Sequence, residues 1–584
     1  MGAPAKQQGF PNDSFFKEIL RRAKLSSSDD WFIHDPANNI KTTYTQLLQD
    51  VLTFKATLRN SLSVDTLRGL DSSEEETGLN FFIFAPSGYY FLVAFLAVLA
   101  LGGVAVPLAH NINVEEASYL LQKFRAVCLL STPQQQSTIQ KILAHANKAN
   151  GATPLSVELP FKDETSTDDT TALRIDNDTG FPPGRAATLM FSSGTTGPPK
   201  GIVHSRRYWC ALADSSAPRT SAEGSLSLST RAMHWTGGLR PDVLSLLGGC
   251  RIEYLNDRPV NGSALWERLR KKGVTALALN PIMWNRMKQH YDDNLSALPT
   301  EELHGYVSAA RALDMASSVG GFVIGPVQLF WRKMLGNRSL QIFYATTEAA
   351  PIMLQPFGAN EDSDERVIGT PCANVEVKLS EGHHGEILVK GPFLFSCYYE
   401  DEKKTREAFD ENGFYRTGDL GHFNGKHYII DGRESTDMIQ FCFWNIPGLE
   451  LQSHILSLPY IEEAYVLSVP DIQVRTRAAA LIRLKGPSKK LPLHKLRSDL
   501  SATMPLYKLP TLMRALDEHE QFPMTESGRL QIKEALRMYF PQTVNERIED
   551  LPPQVEVWDI TKEVSDKPLR PWDWSGLPLE LIPR

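Results

Sequence analysis

The sequence predicts an α/β protein of two domains: a large N-terminal domain of sheets flanked by helices, residues 1–431, and a smaller α+β domain, residues 432–584. Three observations lead there. At 584 residues the chain exceeds what a single hydrophobic core organises. Through its first two thirds, short apolar runs alternate with longer amphipathic stretches, the pattern of sheets covered by helices. After about Gly432 the elements become shorter and more mixed, with strand signals at Ala464 to Val469 and Ala479 to Leu484.

Within the first domain, Phe81 to Phe84, Val104 to Val106, Ala276 to Leu279 and Gln341 to Tyr344 read as strands. The uncharged run from Phe81 to Ala109 is long enough to cross a bilayer. Pro86, Ser87 and Gly88 interrupt it early, and Gly102-Gly103 separate an apolar helix from Val104 to Pro107, so two buried pieces are expected and no transmembrane span. The stretch from Glu158 to Gly184, rich in Asp, Thr and Pro, reads as an exposed loop. Near the end, Pro552, Pro553, Pro568, Pro571 and Pro578 beside Trp558, Trp572 and Trp574 suggest an irregular tail whose tryptophans pack back on a surface.

Composition narrows the function classes. Hydrophobic residues at 42% and charged residues at 22% describe an ordinary globular protein. A net charge of -7 with no Lys/Arg run argues against a nucleic-acid partner. The six cysteines contain no Cys-x-x-Cys pair and no zinc spacing. With no apolar signal core after Met1-Gly2, a reducing, cytoplasmic location is expected.

The sharpest local signal is Phe191-Ser192-Ser193-Gly194-Thr195-Thr196-Gly197-Pro198-Pro199-Lys200-Gly201, which follows the strand-like Ala187 to Met190. Four hydroxyl side chains, glycines that let backbone N–H groups approach a ligand, and a lysine suit a polyphosphate. The loop lacks the Gly-Lys-Ser/Thr ending of a P-loop, and prolines precede its lysine, which removes the kinase and GTPase readings. It resembles the signature of the adenylate-forming superfamily, which includes acyl-CoA synthetases, peptide-synthetase adenylation domains and luciferase. Further segments similar to that family's motifs follow in the same order, so the resemblance spans Thr43-Tyr44 to about Arg537.

That resemblance implies an AMP-forming acid ligase that binds ATP and Mg²⁺, converts a small-molecule carboxylic acid to an acyl-adenylate with release of pyrophosphate, and passes it to CoA. An amine, an alcohol or a carrier-protein thiol is the alternative acceptor, and a nucleotide- or acyl-binding homologue without turnover is the alternative class. Ser192, Ser193, Gly194, Thr195, Thr196, Gly197 and Lys200 would surround the phosphates. Phe343 to Glu348 resembles Tyr-Gly-x-Thr-Glu with Ala345 for the glycine, so Tyr344 would lie against adenine, Thr347 near the α-phosphate and Glu348 on Mg²⁺. Arg416-Thr417-Gly418-Asp419 resembles the segment whose carboxylate accepts both ribose hydroxyls, and a carboxylate can accept from two neighbouring donors at once. Gly432-Arg433 resembles the family's nucleotide-contacting Gly-Arg before a hinge about which the small domain moves. For the acid, His234, Trp235 and Gly238, then Ile282 and Met283, then Ala309 and Ala310 fall in segments similar to those lining the family's acyl pocket.

Two departures stand out. Pro523 to Arg529 resembles Pro-x-x-x-x-Gly-Lys with Arg529 in the place of the catalytic lysine, which keeps the charge but trades a compact ammonium for a planar fork. Where the family reads Ile-Lys-x-x-Gly, this chain has Ile439-Gln440-Phe441-Cys442-Phe443, and Phe443 would crowd a pantetheine arm.

Overall fold

The computed structural model describes residues 9–26, 30–72, 78–110, 112–148, 153–159, 173–191, 199–216, 224–255, 261–321, 323, 325–357, 366–433, 437–441, 444–471, 474–486, 491–525, 528–541 and 551–560. The chain divides into two compact units, Met1–Asp431 and Gly432–Arg584.

Two large sheets form the first unit. One has seven strands in the order Cys397–Tyr398, Gly201–Ser205, Ala186–Phe191, Val104–Pro107, Asn80–Phe84, Ala126–Ser131, Leu155–Glu158. Its centre is parallel, and Gly201–Ser205 returns antiparallel to Ala186–Phe191 across the phosphate-loop sequence. The uncharged run resolves into a strand, the helix Tyr89–Leu101 and a second strand. That helix is buried on every face, as an all-apolar helix must be in water, and its 13 residues fall short of the roughly 20 that a bilayer requires. None of the described helices is long and apolar enough to cross a membrane.

The second sheet contains a parallel array, Gln341–Tyr344, Met315–Val319, Ala276–Leu279, Leu226–Ser229, Arg251–Tyr254 and Ile33–Asp35. It continues through the antiparallel Met353–Gln355 into a layer that includes His384–Lys390 and Tyr415–Phe423. In such sheets ligands collect beyond the carboxyl ends of the parallel strands, because the loops there converge and helix N-termini face them. Trp266, Trp284 and Trp331 fill the core between this array and its covering helices.

The second unit is an α+β fold. Ile461–Asp471 and Arg475–Leu484 form a long hairpin, and a sheet runs from Trp444–Pro447 to Glu556–Val557. Three helices, Gly448–Leu456, Leu493–Leu500 and Ile532–Tyr539, accompany it. Trp558 packs against the unit's core with the Arg497 guanidinium 4.2 Å from its ring centroid, whereas Trp572 and Trp574 lie outside the described residues.

Candidate active site

The geometry begins where the Gln341–Tyr344 strand ends. Tyr344 is buried, and its hydroxyl donates to Asp419 Oδ2 at 2.6 Å. Asp419 is only 8% exposed, so hydrogen bonds to its carboxylate form with little competition from water. Its position is fixed from the backbone side. Gly418 has φ +72, a left-handed conformation that glycine adopts without strain. The Gly418 N–H donates to Glu386 Oε1 at 3.0 Å and the Asp419 N–H to Thr417 Oγ1 at 3.1 Å. The Thr417 hydroxyl in turn donates to the Ile387 carbonyl at 2.8 Å.

A second group of contacts holds Thr347 and Glu348. The ring of His204, on the Gly201–Ser205 strand, donates from Nε2 to the Thr347 carbonyl at 2.9 Å. A carbonyl only accepts, so the proton sits on Nε2 and leaves Nδ1 as an acceptor. Burial drives the pKa of His204 down to about 4, which keeps the ring neutral at ordinary pH. The Phe395 N–H donates to the Glu348 carbonyl at 2.7 Å, and the Tyr398 hydroxyl donates to Glu348 Oε1 at 2.9 Å. The Lys200 ammonium lies 5.7 Å from the centroid of the same tyrosine ring. Tyr398 therefore brings together an acid from the connection between Gln341–Tyr344 and Met353–Gln355 and the lysine that precedes Gly201–Ser205.

Lys200 owes its place to Gly201. A Cβ on Gly201 would stand 2.4 Å from the Phe124 ring, so only glycine allows the backbone that close. Ser192, Ser193, Gly194, Thr195, Thr196 and Gly197 lie outside the described residues. Among the described residues no group of three potential metal ligands occurs. The Glu348 carboxylate, which accepts from Tyr398, is of a kind that suits Mg²⁺, since a hard cation bound with a nucleotide takes one or two carboxylates and completes its shell with phosphate oxygens and water.

At the acid end, His234 is buried with its ring centroid 5.0 Å from that of Trp235, which precedes the helix Thr236–Gly248. Gly238 carries no lining side chain: a Cβ there would sit 2.1 Å from the Ala232 carbonyl oxygen, so it serves a tight approach of backbone to backbone. Ile282 and Met283 occupy the first turn of the helix Pro281–His290, whose Asn280 cap accepts from the Met283 N–H at 2.8 Å. Ala309 and Ala310 fall elsewhere than the sequence suggested. They lie within the helix Thr300–Arg311 and pack into the tryptophan core. Gly321, after Met315–Val319, lies close to the start of the helix Pro281–His290: a Cβ there would stand 3.3 Å from Pro281 Cγ. Half-buried Arg231 donates to the Ala278 carbonyl at 3.1 Å and the Gly237 carbonyl at 2.9 Å, and burial pushes the carboxyl of neighbouring Asp242 up to about 7.

Arg433 and Arg529 belong to the second unit. The Arg433 N–H donates to Asp437 Oδ2 at 3.0 Å. Arg529 is exposed, its carbonyl accepts from the Thr525 N–H at 2.7 Å, and Gly528 has φ +77. Gln440 is exposed on the strand Met438–Phe441, and Phe443 lies outside the described residues.

Sequence reading missed Tyr398 and His204. A single tyrosine seven residues past Gly391, or a histidine inside an apolar strand, carries no motif; both act through partners distant in sequence.

The structure thus joins a buried Tyr344–Asp419 pair to a mixed α/β domain and places a carboxylate and a lysine about Tyr398, an arrangement compatible with a nucleotide-dependent ligase. The profile of the AMP-binding enzyme family matches residues 21–399. The acyl-CoA ligase oryP of Aspergillus oryzae (strain ATCC 42149 / RIB 40) is 33% identical over 573 residues, covering 98% of this chain and 99% of that protein. The malonate–CoA ligase of Arabidopsis thaliana is 27% identical over 488 residues, 78% of this chain and 77% of that one. Among solved structures, ATP-bound MatB from Rhodopseudomonas palustris superposes with a TM-score of 0.72 at 20% identity, covering 91% of this chain and 99% of that one. The amide bond synthetase McbA from Marinactinospora thermotolerans gives 0.73 at 18% identity, covering 90% and 99%. The chain belongs to the AMP-binding enzyme family, and it is an AMP-forming acid ligase that activates a carboxylic acid with ATP as an acyl-adenylate.

Proposed function

We propose that the acceptor is CoA and that the product is an acyl-CoA thioester, with the buried Tyr344–Asp419 pair set beside Thr347 and Glu348 as the observation that carries the adenylation site. In this reading Asp419 takes the ribose hydroxyls, Tyr344 flanks adenine, and Ser192 to Gly197 with Lys200 hold the phosphates. Thr347 hydrogen-bonds near the α-phosphate. Mg²⁺, held by Glu348 and phosphate oxygens, would supply charge neutralisation at the departing pyrophosphate. Tyr398 orients Glu348, and His204 fixes the Thr347 backbone without competing as a base, because its ring is neutral and its Nε2 proton is engaged.

The acid's carboxylate attacks the α-phosphorus, and Arg529, on the small domain, supplies the positive charge that steadies the carboxylate and α-phosphate as charge builds. Arg433 contacts the nucleotide. The small domain, 432–584, then moves to admit the thiol. His234, Trp235, Ile282 and Met283 border the acid. CoA ligases among the relatives over nearly the whole chain support the thioester as product. A cytoplasmic location accords with five described cysteines that form no disulfide.

The test is pyrophosphate release from MgATP with the purified protein, with and without CoA, followed by detection of the thioester. Acid-dependent release that CoA accelerates supports the reading; acid-dependent release with no thioester moves the acceptor elsewhere. An amine is the second reading, favoured by exposed Gln440 and by Phe443 in place of the family's lysine and glycine. Trapping the adenylate with an amine in the absence of CoA separates the two.

A further inference from the structure

Arg231 lies just beyond the strand Leu226–Ser229 and spans two segments that are far apart in sequence. Pairing of that strand with Ala276–Leu279 ends at Leu228 with Leu277, and one residue further on the Ala278 carbonyl accepts from Arg231 Nε at 3.1 Å. Nη1 donates at 2.9 Å to the carbonyl of Gly237, in the first turn of the helix Thr236–Gly248. A Cβ on Gly237 would stand 3.4 Å from that nitrogen, so the guanidinium lies directly against the turn. Nη2 makes no hydrogen bond to a described residue, so among these the two carbonyls are what the fork holds. Burial lowers the Arg231 pKa to about 10 against the pull of Asp242, which leaves the group charged at ordinary pH. The residues between the anchors are also fixed: Met233 is buried with its N–H donating to Ser87 Oγ at 2.8 Å, and the Trp235 N–H donates to the Ala232 carbonyl at 3.2 Å. Ala278, for its part, leads through Leu279 to Asn280, the cap of the helix that bears Ile282 and Met283.

We infer that Arg231 is a positioning residue for the acid: its fork ties the His234–Trp235 turn to the strand end that leads to Ile282 and Met283, and thereby sets which cross-section of acid the enzyme accepts. The inference rests on the proposed reading that these four side chains border the acid, and deepens it. A planar guanidinium suits the task because its N–H groups point in fixed, diverging directions and hold two carbonyls at a set separation. A hydrocarbon side chain holds neither carbonyl, and an ammonium on a flexible stem does not fix their separation. Bonds from a charged donor also resist the spreading that a broader acid would demand.

Pyrophosphate release is measured for chain and ring acids of matched carbon number, hexanoate with cyclopentanecarboxylate and heptanoate with benzoate, on the unaltered protein, Arg231→Met and Arg231→Lys. The unaltered protein should prefer one shape by about tenfold or more in kcat/KM, the scale on which a close-fitting pocket separates similar substrates. In Arg231→Met the preference should shrink to less than about threefold, chiefly through a higher KM for the favoured acid, while affinity for a non-hydrolysable ATP analogue stays within about twofold. Arg231→Lys, which keeps a charge near Asp242, should recover thermal stability but not the preference. Equal use of both shapes by the unaltered protein, or an equal loss for both acids in Arg231→Met, makes Arg231 a packing residue and overturns the inference. Full preference in Arg231→Lys overturns it too, because charge and not the fork would then be at work. If Arg231→Met fails to bind the analogue, Arg231→Lys alone decides. Calorimetric binding of the same acids beside the analogue keeps the two readings apart. Shape-selective binding that Arg231→Lys loses, without pyrophosphate release from the unaltered protein, sinks the ligase reading and leaves the inference standing. Release whose selectivity neither variant alters sinks the inference and leaves the ligase reading standing.

Discussion

Replacing Asp419 with alanine should abolish the enzyme's ability to tell ATP from 2′-deoxy-ATP. In the unaltered protein Asp419 is almost fully buried and is held by the Gly418, Thr417 and Tyr344 contacts, so it presents a fixed carboxylate and pays little entropy on binding a ribose. A hydrogen bond to a charged acceptor contributes about 1.5–3 kcal/mol, which corresponds to about 10- to 150-fold in kcat/KM. Removing the 2′-hydroxyl from the nucleotide should therefore cost the unaltered enzyme that factor. In Asp419→Ala the cost should fall to less than about threefold, while activity with ATP itself drops by at least on the order of 100-fold as both hydroxyls lose their acceptor. Deleting the carboxylate also leaves the Tyr344 hydroxyl without its 2.6 Å partner, at about 1–3 kcal/mol of stability. Tyr344→Phe serves as the control: it should retain the ATP to 2′-deoxy-ATP ratio, because the carboxylate and its backbone supports remain. The assay is pyrophosphate release with each nucleotide at saturating acid, with thermal melting to verify folding. A ratio that stays above tenfold in Asp419→Ala would refute the placement of the ribose.

Arg529→Lys tests whether the fork has become part of the chemistry: adenylation should fall by about tenfold or more if the site has adapted to a planar guanidinium, and single-turnover kinetics will read it. An increase would instead mark arginine as a weakened form of the family's lysine. Tyr398→Phe should lower kcat by about tenfold and raise the Mg²⁺ concentration needed for half-maximal rate, because Glu348 loses the 2.9 Å hydrogen bond that aims it; an unchanged Mg²⁺ dependence counts against that role. Denaturant unfolding across pH should show two opposed contributions. His204, at about 4 folded against 6.5 unfolded, contributes stability fully present above 6.5 and lost as pH falls toward 4, on the order of 3 kcal/mol. Asp242, at about 7 against 3.8, contributes stability present below 3.8 and lost as pH rises through 7. Asp242→Asn should accordingly leave the His204 contribution unopposed, so that stability climbs from pH 4 to 6.5, and raise stability at pH 8; a curve parallel to that of the unaltered protein contradicts the assignment.

What the sequence disclosed depended on whether the information was local. The uncharged run could be parsed because Pro86 to Gly88 and Gly102-Gly103 are breakers acting within their own segment, and the helix between them is buried as its uniform apolarity requires. The Tyr344 and Asp419 segments stood out as motifs because each is read within its own short stretch, and the structure joins the two by a hydrogen bond that neither stretch discloses. Ser308-Ala309-Ala310 misled for the complementary reason. Small residues suit a loop that approaches a ligand, yet they also suit a helix packed close against tryptophan. The deciding signal lay upstream, in Pro299-Thr300 followed by Glu301 and Glu302, acids in a first turn where the helix dipole favours them. Met315–Val319 was passed over because two serines dilute its apolar pattern, although both are buried between neighbouring parallel strands.

Tyr398 and His204 were invisible for a deeper reason. Each side chain bridges to a residue more than forty positions away, and neither has a function by itself. Tyr398 matters because Lys200, just before Gly201–Ser205, and Glu348, between Gln341–Tyr344 and Met353–Gln355, meet at its ring and hydroxyl; His204 matters because its Nε2 proton reaches the Thr347 carbonyl in that same connection. Both sit on the short antiparallel pair of Gly201–Ser205 with Cys397–Tyr398, at the edge where the seven-stranded sheet meets the second one. The chemistry-bearing motifs are carried along single segments, whereas the groups that fix their relative geometry come from this junction. A substitution at the junction should therefore disturb the coupling of acid and nucleotide before it disturbs the affinity for either. For His204→Leu this predicts near-normal binding of an ATP analogue alone, but a loss of at least about tenfold in adenylation rate at saturating acid, because the Thr347 backbone is released from the partner that holds it. Equal losses in analogue binding and rate would instead make His204 a general packing residue.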